Sequence, residues 1–189
     1  MHVLFVCTGN ICRSPTGERL ANAFAQEAGV SDFTASSAGT RAVIGHPIEL
    51  TAAKVLEGLG GASGNFRARR LTARIASEAD LILTMSERHR DKVLGLAPMQ
   101  FRRTFTLREA ARLAEESAAS TVAELADART RYGVRDAEDI LDPIGADAAV
   151  FQDVGSEIAE LLGPLLQRLI IPSRRDLSLS APETSSDTG

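Results

Sequence analysis

Cys7 and Arg13 stand with five residues between them in the run Cys7-Thr8-Gly9-Asn10-Ile11-Cys12-Arg13-Ser14-Pro15. A thiolate is a strong nucleophile, and a guanidinium offers a planar fork that matches two oxygens of a phosphate. Between the two, Gly9 and Asn10 are the residue types that most easily take positive φ, so the backbone can curl tightly. A curled loop turns its N–H groups to one point, and N–H groups beside a guanidinium favour a thiolate. The result is a nucleophile at the base of an oxyanion cradle, suited to attack on a phosphoryl group through a phosphocysteine intermediate. The competing reading is a small core cysteine at a strand end beside an unrelated surface arginine. Gly9, Asn10, Ser14 and Pro15 together weigh against it. A Walker-type nucleotide loop is excluded, because it requires Gly-x4-Gly-Lys-Ser/Thr and no Lys follows this loop.

Such a loop needs a rigid element on each side. Val3-Leu4-Phe5-Val6 is apolar, β-branched and aromatic, and reads as a short buried strand running into Cys7. Beyond the loop, Ser14 reads as the capping hydroxyl of a helix and Pro15 as its first helical position. Strand, loop and helix N-terminus together make an anion-binding arrangement. The helix extends to Ala28, with Leu20, Phe24 and Ala28 on one stripe and Gly29 as its stop.

Further along, Phe33 to Ala38, Leu81 to Met85 and Arg103 to Thr106 read as strands. Helices are predicted from Ile48 to Leu59, from Leu71 to Glu78, and after a Ser86 cap in a segment carrying Val93 and Leu94. His89 on that last helix is expected at the surface without a partner. Arg67, Arg69, Arg70 and Arg74 read as a solvated face, a docking patch for an acidic protein being the alternative. Alternating strands and helices predict a parallel α/β sheet with ligands beyond the strand C-termini, where the Cys7 loop lies. Thr106 with Glu109 and Thr121 with Glu124 are capping boxes ahead of Ala-rich helices. Ile140 to Gly145 is a turn, and a long helix from Val150 to Leu169 is expected to kink at Pro164. Residues 1–171 read as one domain, and the polar, Ser-rich residues 172–189 as a disordered tail.

The run from Val3 to Pro15 resembles the signature loop of the low-molecular-weight protein tyrosine phosphatases. The resemblance implies that family's fold, an α/β three-layer sandwich with a central parallel four-stranded sheet. It implies Cys7 as nucleophile, Arg13 as phosphate clamp, and Thr8, Gly9, Asn10, Ile11, Cys12 and Ser14 as the phosphate-binding loop, shaped by Asn10 and Ser14. Ser37-Ala38-Gly39-Thr40 is similar to the family's second motif, which gives Ser37 the role of hydrogen-bonding the loop asparagine. Cleaving a phosphate monoester requires a proton for the departing oxygen. The family carries that acid in an Asp-Pro pair one helix before the C-terminus, which implies Asp142. The same carboxylate would then act as base for the water that hydrolyses the phosphocysteine. Cys12 stands where many members have a second cysteine that traps oxidised nucleophile as a disulfide.

The chain departs from the family pattern in places. Ile144 follows Asp142-Pro143 where Tyr is usual, Val43 and Ile44 replace an aromatic wall, and Phe66 stands where a histidine often precedes Ala-Arg of the middle helix. The stretch from Ala111 to Val134 is longer than usual and reads as a helical insertion, a lid over the site being the alternative.

The activity implied is hydrolysis of protein phosphotyrosine, an aryl phosphate monoester, with phosphorylated proteins as partners and no metal or other cofactor. The rivals on the same fold are a protein arginine phosphatase, towards which Asp142-Pro143-Ile144-Gly145 leans, and an arsenate reductase using a small external thiol. A non-catalytic anion-binding module is the non-enzyme rival. Ile11 favours tyrosine, because the arginine branch carries Thr at that place. Composition agrees with this class. The net charge, 21 minus 25 or −4, gives no basic field for nucleic acid or anionic membrane. No apolar run approaches the roughly 18 residues of a spanning helix. Two cysteines within one loop suit a reducing compartment, so a cytoplasmic monomer is expected. His2, His46 and His89 show no ligand spacing with the cysteines, so no metal site is expected.

Overall fold

Val3, Leu4, Phe5 and Val6 are all fully buried, which a strand achieves only when both of its faces are covered. The computed structural model describes residues 1–133 and 139–171. In chain order they form β1 (His2–Cys7), α1 (Arg13–Glu27), β2 (Thr34–Gly39), α2 (Leu50–Gly58), α3 (Ala73–Ser77), β3 (Leu81–Thr84), α4 (Glu87–Leu96), β4 (Thr104–Thr106), α5 (Leu107–Ser117), α6 (Val122–Tyr132) and α7 (Ala148–Ile170). A 3-10 turn over Pro98–Arg103 leads into β4.

The four strands pair in the order β2-β1-β3-β4, all parallel. Side chains alternate between the two faces of a strand. Val3, Phe5 and Cys7 therefore join a core with Leu20, Leu56, Leu113, Ile158 and Leu162, under α1, α2, α5 and α7. Leu4 and Val6 join a smaller core with Ala76, Ile82 and Val93, under α3 and α4. The fold is the three-layer α/β sandwich expected. A Cβ on Gly17 would lie 2.6 Å from the Phe5 ring, so α1 packs onto β1 at backbone distance. That contact fixes where the helix N-terminus meets the strand end.

Element limits differ from expectation where capping chemistry decides them. α1 begins at Arg13, so Ser14 lies inside the helix instead of capping it. Thr72 caps α3, whose helix is shorter than the sequence suggested. α7 runs through Pro164 to Ile170, within a residue or two of the limits expected for it.

Both capping boxes form, at the starts of α5 and α6. Arg129 of α6 donates to the carbonyls of Thr104 (2.6 Å) and Phe101 (3.1 Å) and stacks 3.9 Å from the Phe105 ring. α6 is thereby docked beside the edge strand β4 and the turn that precedes it, which protects an otherwise open sheet edge. The edge strand β4 lies two strands away from β1, which carries the Cys7 loop. Val134 and the expected tail lie outside the described residues. Among the described residues no helix is long and apolar enough to cross a membrane.

Candidate active site

The loop from Cys7 to Arg13 leaves the C-terminal end of β1, with β2 on one side and β3 on the other. Its carbonyls are tied outward. Thr40 N–H donates to Cys7 O, Arg41 N–H to Thr8 O and Val43 N–H to Gly9 O, each at 2.9 Å. Glu49 N–H donates to Ile11 O at 2.7 Å and Thr16 N–H to Cys12 O at 3.1 Å. Peptide planes whose carbonyls point out must point their N–H groups in. The N–H groups of Gly9, Ile11, Cys12 and Arg13 have no acceptor among the described residues. They form a concave set of donors at the start of α1, where the helix dipole adds positive potential.

Gly39 makes this approach possible, because a Cβ there would lie 2.5 Å from the Thr8 carbonyl oxygen and 3.0 Å from Ala42. Asn10 takes the left-handed conformation at φ 57°. For a non-glycine residue that costs about 1–2 kcal/mol. Its side chain offsets the cost with three hydrogen bonds, two of them buried, each contributing about 1 kcal/mol. Nδ2 donates to Ser14 Oγ (2.9 Å) and to Ser37 Oγ (2.8 Å), and Oδ1 accepts from Arg69 N–H (2.9 Å).

Ser37 thus meets the loop asparagine as the resemblance implied, and two further residues complete the brace. Ser37 Oγ donates to Glu18 Oε2 at 2.6 Å, and Arg69 Nε donates to the Ser37 carbonyl at 2.8 Å. Burial raises the Glu18 pKa above the ordinary carboxylate value, while the Ser37 hydrogen bond opposes that rise. Sequence reasoning missed Glu18, which reads as an ordinary polar position on α1. It placed Arg69 among solvated arginines, whereas its backbone and guanidinium hold the loop.

Cys7 Sγ lies 2.9 Å from Ser14 Oγ and accepts from Asn10 N–H at 3.3 Å. Ser14 Oγ already accepts from Asn10, so its own proton is available to the sulfur. The Ser14 hydroxyl therefore serves the thiol, which is why it is not spent on capping the helix. Arg13 is buried, with Nη1 donating to the Ile140 carbonyl at 2.9 Å and Nη2 paired with Asp142 Oδ2. Arg13 is 6% exposed and Asp142 48%. The carboxyl accordingly sits at the mouth of the site while the guanidinium lines its wall. Cys12 is buried beneath the loop, and burial first, then Cys7, pushes its thiol up to about 12. Cys12 is therefore a neutral thiol at physiological pH.

His89, expected at the surface without a partner, is buried and bonded at both ring nitrogens. Nε2 shares a 2.8 Å hydrogen bond with Thr8 Oγ1, and Nδ1 one of 2.7 Å with Ser86 Oγ. Ser86 Oγ also caps α4 by accepting from His89 N–H at 3.2 Å. Burial, and next the Arg13 charge, lower the imidazole pKa to about 4, so it is neutral. Thr8 is thus tied through His89 to the start of α4. The Ser-x-x-His spacing was the available signal, since a cap three residues ahead turns the histidine back toward its own N-terminus.

Val43, Ile44, Leu141 and Ile144 are exposed on the segments that follow β2 and that carry Asp142. Val43 is bonded through its N–H to Gly9 O, and the Gly9 Cα faces Ile11 and Val43. Val43 thus lies against the loop, and Ile144 is tied to Asp142 by its N–H at 3.3 Å to Oδ1. Phe66 is buried under the Arg19 guanidinium, 5.6 Å from its ring centroid. Among the described residues, no group of three His, Cys, Asp or Glu side chains could hold a metal ion.

A tetrahedral oxyanion seated on these N–H groups and the Arg13 fork would meet the Cys7 sulfur end-on, which places the site in the class of cysteine-based phosphatases. The family model for the low molecular weight phosphotyrosine protein phosphatases matches residues 2–120. The chain belongs to that family. It is 43% identical over 96 residues to the low molecular weight protein-tyrosine-phosphatase Etp of Escherichia coli (strain K12), an alignment covering 51% of this chain and 62% of Etp. The alignment thus spans less than two thirds of that relative's length. Among solved structures, the low molecular weight protein tyrosine phosphatase from T. tengcongensis superposes with a TM-score of 0.72 at 30% identity, covering 89% of this chain and 99% of that one. A YwlE arginine phosphatase mutant with a phosphorylated active-site serine superposes with a TM-score of 0.71 at 26% identity, covering 93% and 99%.

Proposed function

We propose that the protein is a cysteine-dependent phosphatase that hydrolyses phosphotyrosine in proteins through a phosphocysteine intermediate. The observation that carries this reading is the Cys7 sulfur, held by Ser14 and Asn10 below a set of inward N–H groups. In the first step Cys7 attacks phosphorus, the N–H groups and Arg13 stabilise the equatorial oxygens, and Asp142 protonates the departing phenolic oxygen. Phosphate entering the cradle competes with Asp142 for the Arg13 fork, which frees the carboxyl for the leaving group. In the second step the Asp142 carboxylate takes a proton from water, which attacks the phosphocysteine and releases phosphate. All of this chemistry is carried by side chains and backbone, so the reaction needs no metal. The catalytic residues are Cys7, Arg13 and Asp142, with residues 8–12 and Ser14 as phosphate-binding loop and Ser37 as support. The enzyme acts as a monomer on phosphorylated proteins in the cytoplasm.

The aliphatic character of Ile11, Val43, Ile44 and Ile144 supports an aromatic substrate. Such side chains pack on a ring, but would desolvate a guanidino group without pairing it, at about 1–3 kcal/mol. A panel of matched peptides tests this. The expected order of kcat/KM is phosphotyrosine above phosphoarginine above phosphoserine, with Ile11→Thr narrowing the first gap. A wild-type preference for phosphoarginine would overturn the substrate assignment.

A further inference from the structure

A second cleft, of about 240 Å³, opens beside the catalytic loop, lined by Thr8, Thr40, Arg41, Arg88, His89 and Lys92. It shares Thr8 with the loop but none of Cys7, Arg13 and Asp142, so it is a neighbour of the phosphate cradle and not part of it. Arg88 and Lys92 are four residues apart on α4 and project from one face of the helix. Arg41 comes from the segment after β2, whose N–H holds the Thr8 carbonyl. The three cations converge from two elements on one concavity. None of the three has an ion-pair partner among the described residues, whereas Arg90 on the same helix is held by Glu87 and Glu109. Thr8 and His89 close the cleft toward the loop. With the Ser86 hydroxyl donating to Nδ1, Nε2–H donates to Thr8 Oγ1, and the Thr8 proton is left for an acceptor in the cleft.

Unpaired cations and a free hydroxyl donor in one concavity suit an anion, and nothing about them suits an apolar or cationic group. The chain is acidic overall, so this concentration of positive charge is local. The arginine group from Arg67 to Arg74 does not compete for the role, since Arg69 braces the loop and Arg74 pairs with Glu78.

We infer that this cleft is a substrate subsite, which takes an acidic group of the phosphoprotein, a carboxylate side chain or a second phosphate, next in space to the phosphorylated residue. The inference rests on the phosphatase reading above. It makes the enzyme selective for phosphorylation sites in acidic sequence, through binding and not through the chemical step.

The test compares three phosphotyrosine peptides at low salt: one flanked by Glu on both sides, one with Gln in those places, and one with a neighbouring phosphoserine. p-Nitrophenyl phosphate, which carries no flanking acidic group, reads the chemistry alone. Wild-type enzyme is expected to show a KM about tenfold lower for at least one acidic peptide than for the Gln peptide, at similar kcat, with the gap shrinking as salt rises. Which acidic peptide gains identifies the source of the anion. The double variant Arg88→Gln, Lys92→Gln is expected to bring the peptides within about twofold of one another and to leave p-nitrophenyl phosphate turnover unchanged. Turnover without a preference for either acidic peptide, or a preference that survives in the double variant, overturns the subsite alone. Failure of the wild type to hydrolyse p-nitrophenyl phosphate and all three peptides overturns the phosphatase reading and the subsite with it.

Discussion

At the scale of single residues, the site depends on side chains that do two jobs with one group. Ser14 accepts from Asn10 and offers its proton to Cys7, and Asp142 pairs with Arg13 from the solvent edge. If Asp142 gives the proton to the leaving oxygen, Asp142→Asn slows alkyl and phenyl phosphates far more than p-nitrophenyl phosphate, whose leaving group needs little protonation. A leaving-group series measures this, and equal losses across the series would remove Asp142 from the role. Cys12 bears on oxidation. Peroxide converts Cys7 to a sulfenic acid, and the Cys12 thiolate attacks that sulfur to form the S–S bond as the S–O bond breaks, releasing hydroxide that solvent protonates to water. Because the Cys12 thiol is pushed up to about 12, formation of the Cys7–Cys12 link should quicken about tenfold per pH unit near neutrality. Peptide mapping of quenched samples follows it, and a pH-independent rate would contradict the proposed capture.

At the scale of elements, two helices are anchored by buried polar groups whose roles the sequence showed only in part. His89 is neutral in the fold, with a pKa of about 4, against an ordinary value of about 6.5 when unfolded. The unfolded chain therefore binds more protons between those values, so stability rises with pH through that window. The contribution is complete above about 6.5 and is lost as pH falls towards 4. His89→Gln keeps a hydrogen-bonding side chain without the titration, so its denaturation midpoint should depend less on pH between 4 and 6.5 than that of wild type. Equal pH dependence in the two proteins would show that His89 is not the titrating group. At the other helix, Glu109 is fully buried under Arg129, with Nε to Oε1 at 2.7 Å and Nη2 to Oε2 at 3.1 Å. Arg129→Met strips that carboxylate of its closest partner and should cost about 3–5 kcal/mol in denaturant melts. Because α6 packs on the edge strand β4, two strands from β1 and its loop, kcat/KM of the folded fraction should stay at the wild-type value.

At the scale of the whole molecule, the order β2-β1-β3-β4 puts the Cys7 loop at the crevice beyond the strand C-termini, where open parallel sheets bind ligands. That much was legible in the sequence. The run Val3 to Val6 could only be a doubly buried strand, Gly9 and Asn10 marked the tight loop, and Thr106 and Thr121 announced their helices through their glutamates. What stayed hidden depends on contacts between distant segments. Glu18 meets Ser37 across 19 positions and His89 meets Thr8 across 81. The Glu18 pairing leaves no periodic or local signal, and the Ser-x-x-His spacing marks His89 as held by its own helix start without showing Thr8 as its other partner. Ser14 looked like a helix cap for the same reason, because a serine before proline fits that pattern and its distant duty to the thiol has no signature of its own.

The central claim is that Cys7 carries the phosphoryl group between the two steps. It is tested most directly by mixing enzyme with p-nitrophenyl phosphate, quenching within the first turnovers, and locating bound phosphate by peptide mass spectrometry. The expected result is phosphate on the peptide bearing Cys7, accumulating further in Asp142→Ala, which lacks the base for the second step, while Cys7→Ser, which lacks the thiolate, does not turn over. Turnover by Cys7→Ser at more than a few per cent of wild type, or phosphate trapped on any other residue of the wild-type enzyme, would contradict it.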